Sequence, residues 1–143
     1  MIKKASLEDA QILSRIAGQN SSSAHWTPAG FEAEIKNGAA LVLKSCRGGA
    51  ATGFICCRFV PPSSEITNFA VSNDFLRQGF GKALLQAALK ALKQKNVKEI
   101  TLEVSVRNTA AILLYEKNLF RKVSAREKFY NNIDDALIMK REL

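Results

Sequence analysis

RQGFGKALL, residues 77–85, leaves the polar stretch SNDFL (72–76) and enters an amphipathic run. Gly79 and Gly81 let the backbone approach an anion closely. The start of the following helix supplies unpaired amides and a partial positive charge. Arg77 and Lys82 add two cations. A Walker A loop needs GxxxxGK[ST], but Leu76 stands where its first glycine belongs and Ala83 follows Gly81-Lys82. A dinucleotide fingerprint needs GxGxxG, and Leu84 occupies the third glycine position. A protein-kinase loop shares the spacing, yet no HRD or DFG segment follows. What remains is a loop suited to a pyrophosphate bound without metal, or a glycine-softened helix start with no ligand.

Leu84, Leu85, Ala88, Leu89 and Leu92 recur at helical spacing, which predicts an amphipathic helix over Gly79–Lys95. Upstream, Glu65–Val71 reads as a strand, preceded by Pro61-Pro62. Before that, Ala39–Ser45 and Ala51–Val60 form a hairpin pattern across Arg47-Gly48-Gly49. Further back, Thr27-Pro28 marks the start of a helix that Gly38 stops. Gly18–Ser23 is polar and loop-like. A short strand over Met1–Ala5 leads to Ser6, the expected N-cap of a helix reaching Ala17. Downstream, Ile100–Val106 alternates as a strand, Asn108–Asn118 is amphipathic at helical period, and two more strands end the chain. A hairpin first and a strand–helix–strand unit later predict one α/β (α+β) domain over residues 1–143, with a mixed central sheet flanked by about four helices. A Rossmann fold would alternate more regularly.

The 143 residues suffice for one domain with a real core, and the 47% hydrophobic and 24% charged content is that of a globular chain. No apolar run approaches the roughly 18 residues of a membrane helix. MIKKASLEDA lacks the apolar segment of a secretory signal, so a cytoplasmic location is expected. Cys46, Cys56 and Cys57 have no CxxC spacing and read as reduced packing residues, and His25 is the only histidine. Zinc and Ser-His-Asp chemistry both lack partners in this sequence, and no metal is expected. The net charge of +8 favours anionic partners. Much of the excess sits in KALKQKNVK (90–98), which reads as a solvated helix face because no aromatic residue interleaves for base stacking.

EITLEVSVRNTAAILLYEKNLF (99–120) carries three more candidates. Glu103 shares a strand face with Thr101 and Ser105, opposite Ile100, Leu102, Val104 and Val106. Taken singly it is a carboxylate on a wet face. Asn108 alone is a helix N-cap, and Tyr115 alone is a packing residue with an accessible hydroxyl. Together with the glycine loop they resemble the GNAT family of acyl-CoA-dependent N-acetyltransferases. The likeness runs through NFAVSNDFLRQGFGKALL (68–85), LEVSVRNTAAILLYEK (102–117), KFYNNIDDALIMKREL (128–143) and HWTPAGFEAEI (25–35). Within the family the chain is most similar to the RimI-type enzymes, which acetylate the N-terminal alanine of a small-subunit ribosomal protein. Three positions depart from the family pattern. Leu76 stands for the Gln or Arg that opens the loop, Leu119 for a glycine, and Asn132-Ile133 for a glycine before Asp134-Asp135. The second departure calls for an unusual helix cap.

The resemblance implies acetyl-CoA as co-substrate and a protein N-terminus, that of a ribosomal protein, as acceptor. A monomer with no direct nucleic acid partner and no membrane partner is expected. Phe69, Ala70 and Val71 would offer backbone groups to the pantetheine arm. Arg77, Gln78, Gly79, Phe80, Gly81 and Lys82 would hold the pyrophosphate, and Asn108 would bond to the cofactor. Glu103 would take the amine proton and Tyr115 would protonate the leaving thiolate. Acceptor choice would lie in Ser23–Gly38 and Phe129–Asp135. A small amine, a lysine side chain, or a non-catalytic basic ribosome- or RNA-binding role stays open at this point.

Overall fold

The computed structural model describes residues 1–20, 23–130 and 134–143. Ser21-Ser22, in the expected polar loop, and Asn132-Ile133, at an expected glycine position, lie outside the described residues. Among the described residues seven strands form one mixed sheet in the order β1-β2-β3-β4-β5-β7-β6. They are β1 (Ile2–Lys4), β2 (Ala40–Arg47), β3 (Ala50–Val60), β4 (Ser63–Val71), β5 (Glu99–Ser105), β6 (Arg121–Tyr130) and β7 (Asp134–Glu142). Four α-helices are interspersed among the described residues: α1 (Ala10–Gly18), α2 (Pro28–Lys36), α3 (Phe80–Gln94) and α4 (Thr109–Lys117). The expected mixed sheet with about four helices is what the chain builds.

Each face of the sheet carries its own core. On one, Leu84, Leu85, Leu89 and Leu92 of α3 pack with Ile55, Ile100, Leu102 and Met139. On the other, Leu13 and Ile16 of α1 and Phe31 of α2 pack with Val42, Phe54 and Cys56. Cys56 and Cys57 point to opposite faces as strand neighbours must, and burial pushes the Cys57 thiol up to about 12 and raises that of Cys56 as well. Neither is a thiolate at neutral pH, which agrees with their reading as packing residues.

Local details differ from expectation at three element ends. The helix expected from Ser6 opens instead with a 3-10 turn, Leu7–Asp9, and the α-helix begins at Ala10. Ser6 N donates to the Asp9 carboxylate at 2.7 Å, and Lys44 Nζ reaches the same carboxylate at 2.8 Å. At the end of α2 it is Asn37 that turns the chain, not Gly38: Asn37 is extended, and its Oδ1 accepts from Ala39 N at 2.8 Å. β4 starts at Ser63, two residues early, because its first residues pair with β5. The Thr27 cap is as expected, its Oγ1 accepting from Gly30 N at 3.1 Å. Gly48 and Gly49, at φ +57° and +83°, make the β2–β3 turn. Lys90, Lys93, Lys95 and Lys98 are exposed, as a solvated face requires.

Candidate active site

The pairing of β4 with β5 creates the site. It is parallel and covers only Ser63–Glu65 against Glu99–Thr101. Beyond that point β4 stays with β3 and β5 stays with β7. The facing edges of Ile66–Val71 and Leu102–Ser105 are therefore not joined to each other, and the sheet opens between them.

A bulge in β4 decides what lines this opening. The β3 register passes from Cys57↔Ile66 to Cys56↔Asn68, so Thr67 is an extra residue. Ile66 belongs to the α3 core, whereas Ala70, an even number of residues along, belongs to the α1/α2 core. Phe69 and Val71 consequently pack on the α3 side. Their backbone groups follow from ladder alternation. Ser72 N donates to Thr52 O at 2.8 Å, and Ala70 pairs with Phe54, so Phe69 and Val71 direct N–H and C=O to the open edge. Of the three residues assigned to the pantetheine arm, Phe69 and Val71 thus present their own backbone groups. Ala70 turns its carbonyl toward Gly53 on β3, where a Cβ would meet it at 2.9 Å.

The glycine loop sits at the end of this edge. Arg77 and Gly79 are both left-handed, at φ +61° and +86°, and Gly79 is the residue before α3. The first helical bond runs from Ala83 N to Gly79 O at 3.0 Å. The amides of Phe80, Gly81 and Lys82 therefore have no partner inside the helix. Gly81 lies over the opening: a Cβ there would touch Val71 and Leu114 at 3.7 Å and Phe69 at 3.9 Å, ordinary contact that an alanine could fill. Arg77, Gln78 and Lys82 are exposed. A left-handed glycine, free first-turn amides and surrounding cations suit a diphosphate, and an unpaired strand edge leading to them suits an extended amide-bearing chain.

Glu103 and Tyr115 approach from opposite faces. Ile100, Leu102 and Val104 fill the α3 core, so Glu103 faces the α1/α2 side. Its carboxylate accepts from Arg126 Nη1 of β6 at 2.5 Å. Tyr115 is buried in the α3 core, its ring centroid 6.3 Å from Phe69 and 5.6 Å from Phe120. The contact with Phe69 brings α4 against the β4 edge. Asn108 caps α4, its Oδ1 accepting from Ala111 N at 3.2 Å, which leaves the amide nitrogen as the group it could offer a ligand. Among the described residues no group of three or more His, Cys, Asp or Glu side chains could hold a metal ion.

Two residues near the site, Asn68 and Gly53, are given no role by the sequence. Asn68, buried beside Phe69, donates from Nδ2 to Ala24 O at 2.9 Å, tying the α1–α2 connection to β4. Its Oδ1 is buried without a hydrogen-bond partner. Ser14 Oγ donates to Trp26 O at 2.7 Å, and His25 Nε2 lies 2.9 Å from Asn20 O in the same connection. Gly53 is a lone glycine inside a strand, a recognised sign of close backbone approach. A Cβ there would also meet Leu84 and Ser45 at 3.2 Å.

Known proteins resemble this chain in sequence and overall fold. The acetyltransferase (GNAT) family profile matches residues 10–119. The [ribosomal protein bS18]-alanine N-acetyltransferase of Escherichia coli K12 is 35% identical over 96 residues, which is 65% of each chain. The crystal structure of the ribosomal-protein-S18-alanine N-acetyltransferase from Escherichia coli superposes with a TM-score of 0.88 at 26% identity, covering 99% of this chain and 92% of that one. A putative [ribosomal protein bS18]-alanine N-acetyltransferase of Bacillus subtilis is 30% identical over 140 residues, 96% of this chain and 92% of the other. An N-alpha-acetyltransferase of Saccharolobus solfataricus is 40% identical over 80 residues, 55% of this chain and 48% of its own length. With the profile spanning well over half of the chain, from α1 to the end of α4, the chain belongs to the GNAT family of acetyltransferases.

Proposed function

We propose that this chain transfers the acetyl group of acetyl-CoA to the α-amine of a protein N-terminus, that of a ribosomal protein beginning with alanine. The observation that carries the reading is the opening between β4 and β5, with a diphosphate-suited loop at its end and Glu103 and Tyr115 on opposite faces. The names of the E. coli and B. subtilis relatives support the ribosomal acceptor, and the archaeal relative supports the α-amine in general.

Bound acetyl-CoA would supply an activated thioester carbonyl. The amides of Phe80, Gly81 and Lys82, with Arg77 and Lys82, bind its diphosphate, while Gln78 and Gly79 shape the turn. Phe69 and Val71 hold the pantetheine arm through backbone groups, Ala70 sets their spacing from β3, and Asn108 contributes its amide nitrogen. An N–H of the Phe69–Val71 edge stabilises the charge that develops on the carbonyl oxygen. Glu103 first takes a proton from the bound ammonium, directly or through a water, leaving the neutral amine; as that nitrogen bonds to the carbonyl carbon and the C–S bond breaks, its surplus proton passes to solvent. Tyr115 gives a proton to the departing sulfur. Arg126 holds the Glu103 carboxylate in orientation. An α-amine suits so lightly equipped a site: at a pKa of about 8, roughly a tenth is neutral at pH 7, against roughly 0.04% of a lysine at about 10.4.

The test is to incubate the protein with acetyl-CoA and a peptide beginning Ala-Arg-Tyr, following peptide mass and free CoA thiol together. Equal gains of acetylated peptide and thiol are expected. No acetylated peptide, with acetyl-CoA bound, would reject this acceptor.

A further inference from the structure

We propose that Arg47 is a positioning residue for the diphosphate loop, a role that rests on the reading of this loop as the CoA diphosphate site. Arg47 is the last residue of β2, delivered beside the loop by the tight Gly48-Gly49 turn. It makes two contacts there. Its Nη1 donates to Gln78 Oε1, and its guanidinium carbon lies 5.1 Å from the centre of the Phe80 ring. That ring also packs edge-to-face with Phe75, the ring centroids 6.0 Å apart at an interplanar angle of 88°. Gln78 and Phe80 are the two neighbours of Gly79, the left-handed residue whose conformation exposes the first amides of α3. One side chain therefore grips both flanks of the residue on which the loop's shape depends.

Arginine is fitted to this double contact and lysine is not. The planar guanidinium can donate in its plane to the Gln78 amide while its face lies on the Phe80 ring, whereas an ammonium offers only a point charge. The preceding segment is fastened from another element, Gln19 Oε1 accepting from Asn73 N at 2.9 Å. Arg47 thus holds the amides convergent before a diphosphate arrives, and the ordering is not left to the ligand's binding energy. Because Arg47 is exposed, its removal should leave the core intact and act on ligand affinity.

The experiment is titration calorimetry of CoA with the whole protein, paired with acetyl-transfer kinetics and a thermal melt, for the native chain, Arg47→Ala, Arg47→Lys and Gln78→Ala. Arg47→Ala is expected to weaken CoA binding about three- to tenfold, as loss of two surface contacts would. It should raise KM for acetyl-CoA in step, leave kcat at saturation unchanged, and move Tm by less than about 2 °C. Arg47→Lys should recover only part of the loss. Gln78→Ala should weaken CoA binding in the native background and much less in the Arg47→Ala background. Unchanged CoA affinity in Arg47→Ala would overturn the proposal while leaving the loop assignment standing. Full recovery by lysine would also overturn it, because a bare charge would then suffice. Failure of the native chain to bind CoA would remove the loop assignment and this role with it.

Discussion

On the α3 face, the proposed diphosphate loop is built largely from backbone conformation: two left-handed residues, a helix start and an unpaired strand edge. On the α1/α2 face, the connection between the helices is pinned by side chains reaching for carbonyls, Ser14 to Trp26, Asn68 to Ala24 and Ser23 to Ala17. The first construction suits the constant diphosphate proposed for it, since the binding groups are backbone amides and side chains such as Arg47 act on them only by holding the loop's shape. The second can be re-formed by a few substitutions, which suits the proposed role of this face in fitting one acceptor among many. The proposed reaction joins the two faces through the gap between β4 and β5, with Tyr115 on the first side and Glu103 on the second.

The largest effects should come from that proposed acid–base pair, and they should differ in kind. Tyr115→Phe is expected to lower kcat about a hundredfold at every pH, with acetyl-CoA affinity kept. Glu103→Gln should lose about as much near pH 6, where the acceptor amine is protonated, and progressively less toward pH 9, where it is already neutral. Steady-state pH profiles of both variants measure this. A pH-independent loss in Glu103→Gln would break the division of roles between the faces.

Next in size is a pair of alanines in the loop. At Gly79 the space is empty but φ is +86°, so Gly79→Ala should destabilise the loop by about 1–2 kcal/mol and weaken acetyl-CoA binding. At Gly81, inside the helix and in ordinary contact range, the same change should be neutral or stabilise by up to about 1 kcal/mol. Denaturant unfolding and CoA titration of both variants would show whether conformation or space governs this face.

Asn68→Ala examines the other face. It removes the bond to Ala24 O, a contribution of about 1 kcal/mol, together with an oxygen that has no partner. The KM for the peptide should rise several-fold while that for acetyl-CoA stays put. If acetyl-CoA suffered instead, Asn68 would belong to the cofactor side.

How far the sequence could be read follows the same division. Gly79 is legible because a left-handed turn before a helix nearly requires glycine, and Thr27 is legible because its side chain closes a cap. Leu119 is legible as a departure. It stands at φ +68° after α4, the conformation a glycine would take there, with Asn118 Nδ2 donating to Leu114 O at 2.8 Å and Arg141 donating to Asn118 O at 3.0 Å to secure the turn. Asn68 could not be placed, because the extra residue at Thr67 reverses the alternation that assigns strand residues to faces. Arg47 has no local pattern either; its partners lie 31 residues or more downstream and meet it only through the fold. The smallest expected effect belongs here: Leu119→Gly, remote in role from both substrates, should stabilise the chain by about 0.5–1 kcal/mol in denaturant unfolding and leave both KM values unchanged.

The most direct test of the central claim sets two acceptors against each other. One peptide begins with a free Ala-Arg-Tyr and contains no lysine; the other is the same peptide with its N-terminus blocked and one lysine added. Both are mixed with acetyl-CoA and the protein, and the acetylated residue is located by fragment ions. The account predicts one acetyl group on the alanine nitrogen of the first peptide and none on the second. Acetyl-lysine in the second peptide, with the free alanine untouched, would contradict it.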